Sequence, residues 1–292
     1  MLQGKYTEAE RLILRAIEIG EKALGPNHLD LAVWLNNRAE MLWRQGKYNE
    51  AGPLYLRALE IDEKTIGPDH PDLPTVLKNM AQLLQDQDKY TEAEPLLERS
   101  QEIDEKCLGP KHPSLAATLN NRAGLFYRQG KYAEVYPLYV RATDILETAF
   151  DPDHPQVASS LNNRAVVLAD QGKLAEAEAL YERAYRIREK VLGSQHPDTG
   201  VDLNNLATSL YRQGKFEDAD TLYVRALELL STTVGEEDPD YATTLSNRAE
   251  LFDEQGKHAK TTTLYERSQA IREVLGPEHP GAAQSLHNQA AF

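Results

Sequence analysis

Disulfides are excluded at the outset, because Cys107 is the single cysteine among 292 residues. No Asn-x-Ser/Thr acceptor occurs either, and together these features fit a reducing, cytoplasmic compartment. No run approaches about 18 consecutive apolar residues, so no membrane span is expected. The opening MLQGKYTEAE lacks a cationic segment followed by an apolar core, so no secretory signal is read there. Basic charge is scarce as well. Lys and Arg number 32 against 46 Asp and Glu, a net charge of −14. A phosphate-binding surface needs cations, so neither nucleic acid nor an anionic membrane is an expected partner.

The signatures of chemistry are also missing. There is no HExxH, no paired CxxC and no GxSxG. Gly124–Lys131 mimics a phosphate loop, but five residues separate its glycines, and Tyr132 stands where Ser or Thr must hold magnesium. Six histidines, His28, His70, His112, His154, His196 and His279, lie one per repeat in turns. They are too far apart to share one ion, whose ligands lie at about 2 Å. No catalytic residue, metal or cofactor is expected.

What the chain has is a period. GKY or a variant begins at 4, 46, 88, 130, 172, 214 and 256, a step of 42 each time. LGPNHL at 24, IGPDHP at 66, LGPKHP at 108, FDPDHP at 150, LGSQHP at 192 and VGEEDP at 234 keep the same step; LGPEHP at 275 arrives one residue early. LNNRA at 35, 119 and 161 alternates with LKNMA at 77, LNNLA at 203, LSNRA at 245 and LHNQA at 286. Each period reads as two helices. Asp72, Ser114, Asp198 and Asp240, which follow a proline, are expected to start the first helix. Gly46, Gly130, Gly172, Gly214 and Gly256 end it, with Asp88 as the one replacement able to adopt the left-handed conformation. The second helix carries E-A-x-x-L-Y-x-R-A, as from Glu176 to Ala184. One such pair cannot bury its apolar face alone, so the pairs must stack.

The pattern HPxxAxxLNNxAxLxxxQGKYxEAExLYxRALxIxEKxLG resembles the tetratricopeptide repeat, in the 42-residue form found in kinesin light chains. The resemblance covers essentially the whole chain. It implies an all-α, right-handed superhelical solenoid of antiparallel helix pairs, working as a non-catalytic scaffold for peptide or protein segments in the cytoplasm. No heptad coiled coil precedes the repeats, so the likeness is to the repeats alone. The expected division is a half repeat at 1–29, full repeats at 30–71, 72–113, 114–155, 156–197, 198–239 and 240–280, and a partial repeat at 281–292. Neither end reads as a polar cap, so a fragment of a longer array is expected, with other domains of a parent chain as partners, or ends that self-associate.

On a helical wheel with about 100° per residue, Leu119, Ala123, Phe126 and Ala116 form the packing face. Asn120, Asn121, Tyr127 and Arg128 fall opposite. By the resemblance, that face lines the concave groove where partners bind. The candidate groove residues are Asn36, Asn37, Trp43, Arg44, Lys78, Asn79, Asn120, Asn121, Tyr127, Arg128, Asn162, Asn163, Asn204, Asn205, Tyr211, Arg212 and Asn247. The second asparagine recurs in every unit, up to Asn288. An amide that donates and accepts suits the main chain of a bound peptide, or else it forms contacts between neighbouring first helices. Position 128 alternates in sign along Arg44, Asp86, Arg128, Asp170, Arg212 and Glu254. Trp43/Arg44, Tyr127/Arg128 and Tyr211/Arg212 are therefore read either as three binding stations or as charges neutralised between repeats. Arg122 falls inside the packing arc, with Glu92, Glu134 and Glu176 as the candidate acids for it and its counterparts.

The alternative function is a regulatory or structural array of a larger signalling ATPase.

Overall fold

The computed structural model describes residues 2–275, with side chains from residue 10 to residue 274. The copies at His279 and Asn288 lie outside the described residues. Among those described there are thirteen α-helices and no strand. They are α1 (Leu2–Ala23), α2 (Leu29–Arg44), α3 (Tyr48–Ile66), α4 (Leu73–Asp86), α5 (Tyr90–Ile103), α6 (Pro113–Arg128), α7 (Tyr132–Ala149), α8 (Pro155–Asp170), α9 (Leu174–Leu192), α10 (Pro197–Arg212), α11 (Phe216–Thr233), α12 (Pro239–Glu254) and α13 (His258–Leu275). A π-helical turn, Asp104–Leu108, extends α5. The chain divides inside α7 into two compact units, Met1–Ile145 and Leu146–Phe292. Within each unit, successive helices pack as hairpins, and successive hairpins stack.

Small side chains set the hairpin spacing. Ala39, Ala81 and Ala123 in the first unit, and Ala165, Ala207 and Ala249 in the second, are fully buried. Facing alanines on the second helices, such as Ala51, Ala93, Ala177 and Ala219, are equally inaccessible. Helix axes approach most closely where such residues meet. The leucine four residues before each first-helix alanine, from Leu35 to Leu245, is at most 1% exposed and fills the layer between repeats.

The turns inside the hairpins follow the sequence reading. Gly130 sits at φ +73°, and Asp88, the one non-glycine residue with positive φ among the described residues, sits at +59°. Both are left-handed positions that close the turn without unwinding the next helix. The turns between repeats differ from expectation. The capping group of α6 is His112, two residues before Ser114, and its Nδ1 accepts from the Ser114 backbone N–H at 3.2 Å. His28, His154 and His196 cap α2, α8 and α10 in the same way, and Asp238 replaces the imidazole at α12. In α4 the N-cap is Asp72, as expected, but its own backbone N–H donates to His70 Nδ1. The proline that follows His112, His154, His196 and Asp238 occupies the first helical position, where its missing N–H costs nothing. That displaces the cap upstream of Ser114, Asp198 and Asp240.

Candidate interaction surface

Each first helix leaves one stripe facing solvent, spaced i, i+4, i+7, i+11. On α6 it is Ala117, Asn121, Gly124 and Arg128. On α2 it is Val33, Asn37, Glu40 and Arg44; on α10, Val201, Asn205, Thr208 and Arg212. The spacing repeats every 42 residues, so helices stacked within one unit present their stripes side by side.

The asparagine column does two different things. In the first unit Asn79 Nδ2 donates to Asn36 Oδ1 at 3.0 Å. In the second, Asn247 Nδ2 donates to Asn204 Oδ1 at 3.0 Å. These bonds tie one first helix to the preceding one. Asn37, Asn121, Asn163 and Asn205 make no such bond among the described residues. Asn37 is exposed, and the other three are half-buried. Their amides are unspent on a face that solvent reaches.

The other asparagine of each pair lies deeper. Asn162 and Asn204 are 8% and 7% exposed, beneath the stripe rather than on it. Asn162 donates to the buried Asp202 carboxylate. Asn36 and Asn120 are half-buried. Lys78 occupies the equivalent site on α4, and its Nζ donates to Ser114 Oγ at 3.3 Å. Burial holds the Lys78 ammonium below its ordinary pKa, with the Asp104 carboxylate acting in the opposite direction. Lys78 therefore serves the stack rather than the open face.

The aromatic-plus-arginine pairs are largely engaged within the fold. Asp86, whose side chain is 5% exposed, receives the Trp43 indole N–H at 2.8 Å and a Gln82 amide N–H at 3.0 Å. Its other neighbour is the Arg128 guanidinium, 3.2 Å away. Arg212 pairs with Asp170 at 3.0 Å. Arg44 instead folds back on Glu40 of its own helix, at 2.7 Å. The alternation of sign thus produces ion pairs between neighbouring first helices. The rings brace the turn at the helix end: Tyr127 stands edge-on to Tyr132 at 5.5 Å, and Tyr211 lies 6.1 Å from Phe216.

Arg122 is half-buried on the packing side, as the wheel predicts, but its partners differ. It bonds Gln101 and Glu98 on α5 and lies 5.4 Å from the centre of the Phe126 ring. Arg248 likewise bonds Asp220 of α11 at 2.6 Å. The acids proposed from sequence, Glu92, Glu134 and Glu176, are exposed. They sit in the first turn of their helices, whereas Arg122 reaches residues six and nine positions past Glu92, and Arg248 reaches Asp220, two positions past the equivalent Asp218.

Two polar features, one half-exposed and one buried, had no counterpart in the sequence reading. The second helices carry a ladder of ion pairs 36 residues apart: Arg57–Glu21 at 2.7 Å, Arg99–Glu63 at 2.6 Å and Arg141–Glu105 at 2.8 Å in the first unit, with Arg183–Glu147 and Arg225–Glu189 in the second. Both columns keep the 42-residue step, so the same search would have found them. The second feature is Arg188, 7% exposed, paired with the fully buried Asp202 at 2.5 Å.

Comparison with known proteins agrees with this architecture. The tetratricopeptide repeat model matches residues 1–64, 30–106, 72–148, 114–190, 156–232, 201–273 and 240–291. The chain belongs to the tetratricopeptide repeat family. No curated protein matches the sequence. Among solved structures, the nearly identical TPR-like repeats of a kinesin light chain from Podosopora anserina, in one variant form, are similar at 25% identity and a TM-score of 0.58, over 70% of this chain and 96% of that one. BtubC from P. vanneervenii is similar at 23% identity and a TM-score of 0.61, over 82% and 94% of the two chains. The apo form of RapI, at 18% identity, has a TM-score of 0.68 over 93% and 96%. The last two likenesses are of fold. This tetratricopeptide repeat protein is a repeat scaffold of the kind typical of protein–protein interaction. No described helix is long and apolar enough to cross a membrane.

Proposed function

We infer that the chain is a non-catalytic interaction module that holds an extended or helical segment of a partner protein against the stripes of its first helices. The observation carrying this reading is the set of unspent amides at Asn37, Asn121, Asn163 and Asn205. Asparagine in mid-helix costs about half a kcal/mol against alanine. The Asn79–Asn36 and Asn247–Asn204 bonds offset that cost, whereas the other four have no such return within the described structure. An amide donating and accepting on an open face matches the main chain of a bound segment, and within the second unit Asn163 and Asn205, on successive repeats, supply two such contacts. The kinesin light chain repeats similar to this chain are consistent with a scaffold role.

A random dodecapeptide display library selected on the full chain tests it. Peptides recovered on the parent protein should bind at least about tenfold more weakly to an Asn121→Ala/Asn163→Ala/Asn205→Ala variant, each lost charge-free bond contributing on the order of 0.5–1.5 kcal/mol. Unchanged affinity for the variant overturns the reading.

A further inference from the structure

In the second unit an open cavity of about 550 Å³ lies between the tips of the α8–α9 and α10–α11 hairpins. Its wall includes Ala169, Gly172 and Leu174 from one tip and Tyr211, Arg212 and Phe216 from the other. Arg212 is also the last residue of the α10 stripe, so the cavity continues that face.

The first unit holds a second version of this corner, two repeats or 84 residues earlier. Tyr127 and Arg128 stand there as Tyr211 and Arg212 do. Around them four side chains differ, and each is larger in the first unit: Gln85 against Ala169, Asp88 against Gly172, Tyr90 against Leu174 and Tyr132 against Phe216. The larger groups are in use. Gln85 is 2% exposed. The Tyr90 hydroxyl donates to Asp88 at 2.6 Å and accepts from the Arg128 guanidinium. In the second unit Arg212 keeps its carboxylate, Asp170 at 3.0 Å, but the hydroxyl that Tyr90 supplies is gone. A Cβ added at Gly172 would meet nothing within 4 Å. The same corner is thus built with its filling groups removed.

The groups removed say what fits. A guanidinium has five N–H donors, and one carboxylate does not use them all. A phenol fills a space walled by rings and leucine, and its oxygen accepts from the guanidinium. Aromatic side chains are the usual anchors of interfaces. Resting on the reading that the first-helix stripes hold a partner segment, we propose that this cavity receives a tyrosine side chain of that segment, its ring against Leu174, Tyr211 and Phe216 and its hydroxyl on Arg212, so that the partner supplies to Arg212 what Tyr90 supplies to Arg128.

Dodecapeptides selected from the random library on the full chain test it. Their affinities for the parent, for two filled forms and for Asn205→Ala are read by fluorescence anisotropy, with circular dichroism as the check of folding. The filled forms are Ala169→Gln/Leu174→Tyr and Gly172→Asp. Both install residues that the first unit already accommodates at the same places, Asp88 at φ +59° included. Tyrosine should be enriched above its library frequency, and the recovered peptides should bind the filled forms at least about tenfold more weakly. Replacing the peptide tyrosine by phenylalanine should cost about threefold to tenfold on the parent, the worth of one net hydrogen bond, and nothing on the filled forms. Peptides weakened by Asn205→Ala that bind the filled forms as tightly as the parent, or that accept phenylalanine without loss, overturn the tyrosine pocket and leave the groove reading standing. Weakening by the filled forms alone supports the pocket and removes the amide contacts. A selection yielding no peptide weakened by any of the three forms removes both.

Discussion

Asn79 donates its side-chain amide to Asn36 at 3.0 Å, although Asn121, at the same position one repeat further along, has no such bond. The difference lies in the residue each would meet. Asn79 faces an asparagine oxygen, whereas the equivalent site before Asn121 is Lys78, which offers no acceptor. Asn79→Ala should therefore lower stability by about 1 kcal/mol, the typical net value of a part-buried hydrogen bond. Asn121→Ala should leave stability unchanged or raise it by a few tenths of a kcal/mol through helix propensity. Urea unfolding followed by circular dichroism separates the two.

Arg188 and Asp202 form an ion pair between α9 and α10 in a site where the next repeat places Leu230 with Thr244. Burial pushes the Asp202 carboxyl upward, and Arg188 opposes that shift. Removing one partner leaves the other charge buried, so Asp202→Ala should destabilise the second unit by about 3–5 kcal/mol. The double change Arg188→Leu/Asp202→Thr, copying the Leu230/Thr244 layer, should be neutral or stabilising by about 1–4 kcal/mol. Thermal unfolding of both variants is the check.

The fold itself was legible in the sequence because its signal is periodic. Leu119 and Ala123 recur every 42 residues, and one wheel assigned them to the packing face, where the structure buries them. The sign alternation at position 128 was also visible, and it corresponds to real pairs at Asp86–Arg128 and Asp170–Arg212. A wheel gives the direction of a side chain and not the helix it meets. Hence Arg122 was placed on the correct side but matched to the wrong acids. Asn162 and Asn204 fell outside the packing arc by angle, yet the neighbouring repeat covers them. Arg188 was invisible because its column reads Asp62, Asp104, Leu146, Arg188, Leu230, Arg272, without a constant chemistry.

That same column makes a pH prediction. Asp62 has its pKa raised from 3.8 to about 6, by burial first and by Asp72 second. Below the ordinary value both folded and unfolded states are protonated, and Asp62 imposes no penalty. As pH rises from about 4 to about 6 the unfolded chain ionises first, so the folded state loses stability, and the loss levels off above about 6. Asp62→Asn should therefore stabilise the protein at pH 7 by roughly 1 kcal/mol, after allowance for partial exposure. The gain should vanish as the pH approaches 4. Melting temperatures of both forms across that range show it.

The histidine caps predict their own replacements. His112→Ala removes the acceptor for the Ser114 N–H and should cost about 0.5–2 kcal/mol. His112→Asp should restore most of it, since Asp238 already performs the same bond at α12 at 2.9 Å. Denaturant midpoints for the three forms decide the point.

The most direct test of the interaction surface is the side-chain amide NMR spectrum of the asparagines, recorded while a library-selected dodecapeptide is added. Shifts at Asn121, Asn163 and Asn205, with Asn79 and Asn247 little changed because their amides are already bonded, are the predicted result. Shifts confined to residues of the second helices, with those three asparagine signals unmoved at saturation, would contradict the account.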